Sequence, residues 1–187
     1  EGVPDAGAEN HGELAFSPDV PMDMSLRVGA GDSNLDFTGL SLSQLSVETG
    51  AADLDIRFDE PNPVQMSDLV LRAGAANLRV EGIGNAGPDS VTIEIGAGNL
   101  VLDFTGAWPQ SARVRVTAGT GSLALSFPEN VGVRVEMEGG LGSVEAGDGF
   151  SESDGVYVNE AYGTASIQLD VTVEIGGGSV SFEQDGE

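Results

Sequence analysis

A glycine-led tetrapeptide recurs seven times along this chain, and each copy is flanked on both sides by apolar residues spaced two apart. The copies read GAGD at Gly29, GAAD at Gly50, GAAN at Gly74, GAGN at Gly96, GTGS at Gly119, GLGS at Gly140 and GGGS at Gly176. Five and three residues before each leading glycine stand Met24/Leu26, Leu45/Val47, Leu69/Leu71, Val91/Ile93, Val114/Val116, Val135/Met137 and Val171/Val173, all apolar. Four and six residues after it stand Leu54/Ile56, Leu78/Val80, Leu100/Leu102, Leu123/Leu125, Val144/Ala146 and Val180/Phe182; the first copy gives Leu35/Phe37, read as following a two-residue insertion. Alternation at period two predicts a half-buried strand on each side of a glycine turn. The leading glycines are spaced 21, 24, 22, 23, 21 and 36 residues apart, one coil per repeat, with room for an insertion in the last interval.

Such a unit cannot stand alone. One coil exposes its apolar faces and the unpaired edges of its strands, and stacking the next coil about 4.8 Å away satisfies both. The expectation is an all-β, single-domain, right-handed parallel β-solenoid of about seven rungs, the hand following that of crossovers in parallel sheets. Its core is aliphatic, with Phe37, Phe58, Phe104, Phe127 and Phe182 closing one side.

Residues 1–23 lie outside the repeat phase, carry Pro4, Pro18 and Pro21, and read as a spacer or cap, with Leu14–Ala15–Phe16 placed to cover the first rung. The solenoid is expected over 24–187, interrupted at about 149–168 by a segment holding Tyr157 and Tyr162. This segment reads as a loop that packs its aromatic residues over the last rungs; the alternative is that the two tyrosines are contacts for a partner. No run is apolar enough to cross a bilayer as a helix. A first residue Glu1 with no leader suggests a mature or trimmed form whose targeting or anchoring segment is missing.

Charge narrows the partners. The chain has 31 acidic residues against seven basic ones, all arginine, and a formal net charge of −24. Nucleic acid and anionic membrane are disfavoured, because neutralising phosphates needs a basic surface. Without lysine there is neither a Walker loop nor a Schiff base, and without cysteine there is neither thiol catalysis nor a zinc thiolate site. The one histidine, His11, lies in the polar N-terminal segment, away from any scaffold that would hold a general base. No catalytic or cofactor-binding residue is assigned. An enzyme of this shape would be a polysaccharide hydrolase or lyase using acids with Arg115 or Arg134, but no repeat departs from the pattern as a built site requires.

Two columns of outward side chains remain. Three residues past the leading glycine stand Asp53, Asn77, Asn99, Ser122, Ser143 and Ser179, with Asp32 in the first copy, short side chains suited to bonding their own turn and the rung above. Asp32 and Asp53 are the weak metal candidates, since Ca²⁺ asks for six to eight oxygens and the column offers two carboxylates. Two residues before the glycine, Arg27, Glu48, Arg72 and Glu94 alternate in sign over the first four repeats, and Asp55/Arg79 and Arg57/Glu81 do the same on the second strand. Stacked in register, they fix alignment more than they add stability.

The repeated apolar-x-apolar-x-x-GAG pattern, the stretch PENVGVRVEMEGGLGSVEAGDGF, and DGVYVNEAYG leading into LDVTVEIGGGSVSF resemble the bacterial toast-rack family over about Met24 to Phe182. That family groups adhesin-like domains with the C-terminal domain of LiaF-type cell-wall-active-antibiotic response proteins. The resemblance implies a stacked β-structure in the cell envelope or outside the cell, non-catalytic, serving adhesion, scaffolding or the envelope-stress response, and needing no cofactor. Its partner would be an envelope or surface protein or polysaccharide, or the chain itself. Self-assembly into end-to-end rows is the second reading, because the ends of a solenoid expose unpaired strands.

Overall fold

The computed structural model describes residues 16–185, so His11, Leu14 and Ala15 lie outside the described residues. Among these residues the order is β1 (Met22–Val28), β2 (Gly31–Asp36), β3 (Leu42–Arg57), β4 (Met66–Glu81), the helical turn α1 (Ile83–Ala86), β5 (Pro88–Asp103), β6 (Ala112–Pro128), β7 (Gly132–Glu138), β8 (Leu141–Ala146), β9 (Phe150–Ser153), β10 (Val156–Asn159) and β11 (Gln168–Asp185). The described residues are thus all-β with almost no helix. Their strands form one mixed sheet in the order β1-β3-β4-β5-β6-β11-β7-β10-β9, with β2 beside β3 and β8 beside β11.

The glycine signature does not separate two strands in most repeats. In β3 to β6 and in β11 one strand runs through both apolar segments, and the leading glycine is a corner within it. Thr49 pairs with Ala73 and Ala51 with Ala75, while Gly50 and Gly74 between them drop out of the ladder; the lapse recurs at Gly96, Gly119 and Gly176. The corner lets the inward side chains of both arms meet in one core. Two residues on, Gly98, Gly121 and Gly178 hold φ of 138°, 144° and 132°, and a Cβ at each would fall on the carbonyl oxygen of the residue stacked beneath it. Glycine is demanded there by both conformation and space.

The first repeat has no insertion. Gly31 pairs with Ala52 and Leu35 with Ile56, so Ser33 takes the place that Leu54 holds in the next repeat. Phe37 then aligns with Phe58: its amide donates to the Arg57 carbonyl at 3.1 Å, and the two rings stack at 5.6 Å.

The core lies between the two arms and the return segments, with Leu45, Val47, Leu69, Leu71, Ile93, Leu100, Leu102, Val116 and Leu125 all buried. The five expected phenylalanines are buried too. They form separate stacks, Phe37 on Phe58 and Phe104 on Phe127 at 5.1 Å, while Phe182 meets Phe150 edge-on at 5.0 Å.

The C-terminal part departs from a purely parallel stack in chain order. β11 lies between β6 and the β7/β8 pair, parallel to all three, so the seventh repeat sits inside the sixth. In this order Asp170 of β11 is in register with Arg113 on one side and Arg134 on the other, and it separates two arginines that direct stacking of β6 on β7 would set side by side. The sheet becomes mixed because β9 and β10 form a hairpin, and β10 runs antiparallel to β7. Its turn is Asp154–Gly155, with φ of 53° and 76°, the left-handed pair of a tight two-residue hairpin.

Candidate functional site

What the repeats build on the outside is a set of straight columns. Three residues past the corner, Ser122 donates to Asn99 at 2.6 Å, Asn99 to Asn77 at 2.9 Å, and Asn77 to Asp53 at 2.7 Å. Each side chain satisfies the next across one strand spacing, so the column is a hydrogen-bonded ladder that ends on a carboxylate. Asp32 is the register neighbour of Asp53, placing the two metal candidates side by side at the β2 end. Among the described residues no three His, Cys, Asp or Glu side chains are arranged to hold a metal ion.

The charged column pairs as the register dictates at two steps: Arg27 meets Glu48 at 3.0 Å and Arg72 meets Glu94 at 2.8 Å. On the second arm Asp55 is in register with Arg79 and Arg57 with Glu81, but the ion pairs form elsewhere. Arg57 reaches back to Asp36 at 2.5 Å, and Arg79 turns along its own strand to Glu81 at 2.7 Å. The Arg57 guanidinium, helped by hydrogen bonds from Thr38, lowers the Asp36 carboxyl to about 2. A shallow groove follows the corner on the first-arm side, lined by Glu48, Arg72, Gly74, Glu94, Gly96 and Thr117.

Arg115 and Arg134 are not brought together with acids in a cleft. Arg134 holds Glu136 of its own strand at 2.9 Å, while Arg115 spans the level of β11 to reach Glu138 at 3.7 Å. Both lie on the outer face.

The two tyrosines tie the returning chain to β11. Tyr157, on β10, is half-buried and meets Phe182 edge-on at 5.0 Å. Tyr162 donates its hydroxyl to Asp170 at 3.1 Å, and burial first, then the Asp170 carboxylate, pushes its phenol up.

Three asparagines escaped the sequence reading and hold the return segments. Asn62 accepts from the Leu42 amide at 3.0 Å and donates to the Leu42 and Ala86 carbonyls. Asn85 donates to the Phe58 carbonyl and accepts from the Ala107 amide. Asn159, which is buried, accepts from the Val133 amide and donates to the Val131 carbonyl, both at 2.8 Å. Each brackets backbone groups that no strand partner satisfies. The only sequence sign was an amide residue where the repeat phase lapses.

With this geometry in view, the relationships are clear. Residues 3–81 match the family model described as the N-terminal domain of toast_rack, DUF2154. The toast-rack resemblance read from the sequence is therefore borne out. No curated protein sequence matches the chain. Among solved structures, the crystal structure of a "putative cell adhesion protein" from Clostridium sporogenes has the same fold: TM-score 0.63 at 16% identity, covering 91% of this chain and 96% of that one.

Proposed function

We propose that this chain is a non-catalytic, adhesin-like module of the cell envelope or cell exterior, which presents its regular outer face to an envelope or surface protein or polysaccharide. The observation that carries this reading is the set of outward columns that run in register from repeat to repeat over one continuous buried core. Likeness in fold, over nearly the whole chain, to the structure described as a "putative cell adhesion protein" supports it. We read the stack as a right-handed solenoid of seven rungs, with residues 1–23 as spacer and 149–168 as the insertion that closes the far end, and the envelope-stress link as one setting for such a module. Asp32 and Asp53 serve the ladder in this reading, and no residue is assigned to catalysis.

The test is binding of the purified chain to isolated cell envelopes, compared with a double variant, Arg72→Ala/Thr92→Asp, altered on the outward first-arm face. Weakened binding at an unchanged melting temperature is the expected result. Binding no stronger than that of an unrelated protein of equal negative charge would overturn the proposal.

A second reading is end-to-end self-assembly. It rests on the outer edges of β1 and β2 at one end and of β8 and β9 at the other, which have no strand partner among the described residues, and on Val144 of β8, which is 37% exposed. Ordered rows seen by electron microscopy would favour it, and a monomer at every concentration would set it aside.

A further inference from the structure

The sheet order divides the chain at an unexpected place. β7 to β10 pair among themselves and with β11, and β7 and β8 have no ladder with β6. The C-terminal unit, residues 132–185, therefore joins the body of residues 22–128 through the β6–β11 ladder, with the linker 129–131 as its covalent tie. That ladder runs unbroken but for the corner from Leu169↔Ala112 to Asp185↔Pro128, and buries Leu169, Val171, Val173, Ile175, Val180 and Phe182. A closed interface this long, joined by so short a hinge, is the geometry in which the same contacts form equally well between two copies once the hinge extends.

We propose that the partner of the β6 edge can be the β11 of a second copy, so that two chains exchange their C-terminal units and are held together by two β6–β11 ladders. Every contact in the exchanged pair is one the monomer already makes, including Asp170 between Arg113 and Arg134, now with Arg113 from the other chain. The new contacts are confined to the opened hinge, where Pro128 precedes Glu129 and Asn130 and stiffens the linker. The inference stands apart from the adhesin-like reading, since it depends on the sheet order alone. Self-docking across a short tether has an effective concentration on the order of 1 mM, so exchange is favoured by refolding at high protein concentration.

The native chain has no cysteine, which makes the test clean. Thr172 of β11 and Arg115 of β6 are register partners on the outer face. Full-length Arg115→Cys and Thr172→Cys chains are unfolded together, refolded at increasing concentration and oxidised with a glutathione couple. Exchange predicts a disulfide-linked heterodimer that rises with refolding concentration, several-fold above a control pairing Thr172→Cys with Ser25→Cys at the opposite end of the stack. A second arm deletes Asn130: too short a hinge cannot fold back, so the variant should be a dimer at concentrations where the parent is monomeric. Heterodimer no more abundant than in the control, or a monomeric, folded Asn130 deletion, would overturn the proposal.

Discussion

The first five repeats and the last two obey the same pattern and are assembled differently. From β1/β2 to β6 each repeat lies on its predecessor, and register passes from one to the next through identical corner glycines. After β6 the chain skips a level, lays down β7 and β8, turns through a hairpin, and only then fills the gap with β11. Local pattern therefore decides what each strand buries, but not which strand lies beside which. That choice is made over longer range: it needs a connection long enough for β11 to return between β6 and β7, and it leaves Asp170 in register between Arg113 and Arg134, keeping those like charges one level apart.

The sharpest way to break this comparison is to put a charge into each region's core. Leu100→Asp places an unpaired carboxylate in the middle of the ordered stack, where Leu100 is 1% exposed, and should cost about 4 kcal/mol or more. Amide protection should be lost throughout. Val173→Asp strikes the strand that joins the two regions, so protection should vanish from β7 to β11 and persist in part from β3 to β5. Glu94→Ala, on the outer face, should stay within about 0.5 kcal/mol of the parent. Equal, global loss in both core variants would show that the two regions are one cooperative unit.

Next come the corners. Gly121→Ala forces a Cβ against the Gly98 carbonyl at a φ of 144° and should cost about 2–3 kcal/mol, whereas Gly50→Ala meets open space and should fall within about 0.5 kcal/mol. Denaturant midpoints of the two variants check this directly. Similar losses would mean that the glycines matter for the unfolded chain and not for stacking.

The polar brackets give a smaller contrast. Asn159→Ala leaves a buried amide and carbonyl unpaired and should lower stability by about 1–3 kcal/mol. Asn77→Ala removes two exposed steps of the ladder, those to Asp53 and from Asn99, and should cost about 1 kcal/mol or less. Urea unfolding of both settles the ranking, and the reverse order would move the chief polar constraint from the bracket to the column.

The all-β class, the inward residues and the phenylalanines were legible because period-two alternation is a local property, and so was the Gly+3 column, whose members share one phase. The first repeat misled because Ser33 stands where leucine was sought, and a two-residue shift restored the apolar match at the expense of the true register. The hairpin was signalled by Asp154–Gly155 and passed over. The intercalated order had only faint signs, the 36-residue interval and the charge match of Asp170 with two arginines, neither of which names a neighbour. Of the outer face, the columns could be read from the sequence and so could the pairs Arg27–Glu48 and Arg72–Glu94, but not the partners of Arg57 and Arg79, which had several carboxylates within reach.

The smallest effect expected is electrostatic. The Asp36 carboxyl, lowered from 3.8 to about 2, contributes stability above its ordinary value that is lost as pH falls from about 4 to 2. The pair is well exposed, so the contribution is slight. Arg57→Ala should return the Asp36 titration, followed by NMR, toward 3.8; an unmoved midpoint would assign the shift to Thr38 alone.

Strand order is the central claim, and a pair of cysteine variants reads it directly. Glu174 of β11 is in register with Thr117 of β6 on one side and Glu138 of β7 on the other. A disulfide spans neighbouring strands about 4.8 Å apart, but not two spacings. In the monomer, Thr117→Cys/Glu174→Cys should close an intramolecular disulfide on mild oxidation, while Thr117→Cys/Glu138→Cys should remain reduced. The opposite result, closure between positions 117 and 138 with 117 and 174 left free, would mean that the repeats stack in chain order and that β11 does not lie between β6 and β7.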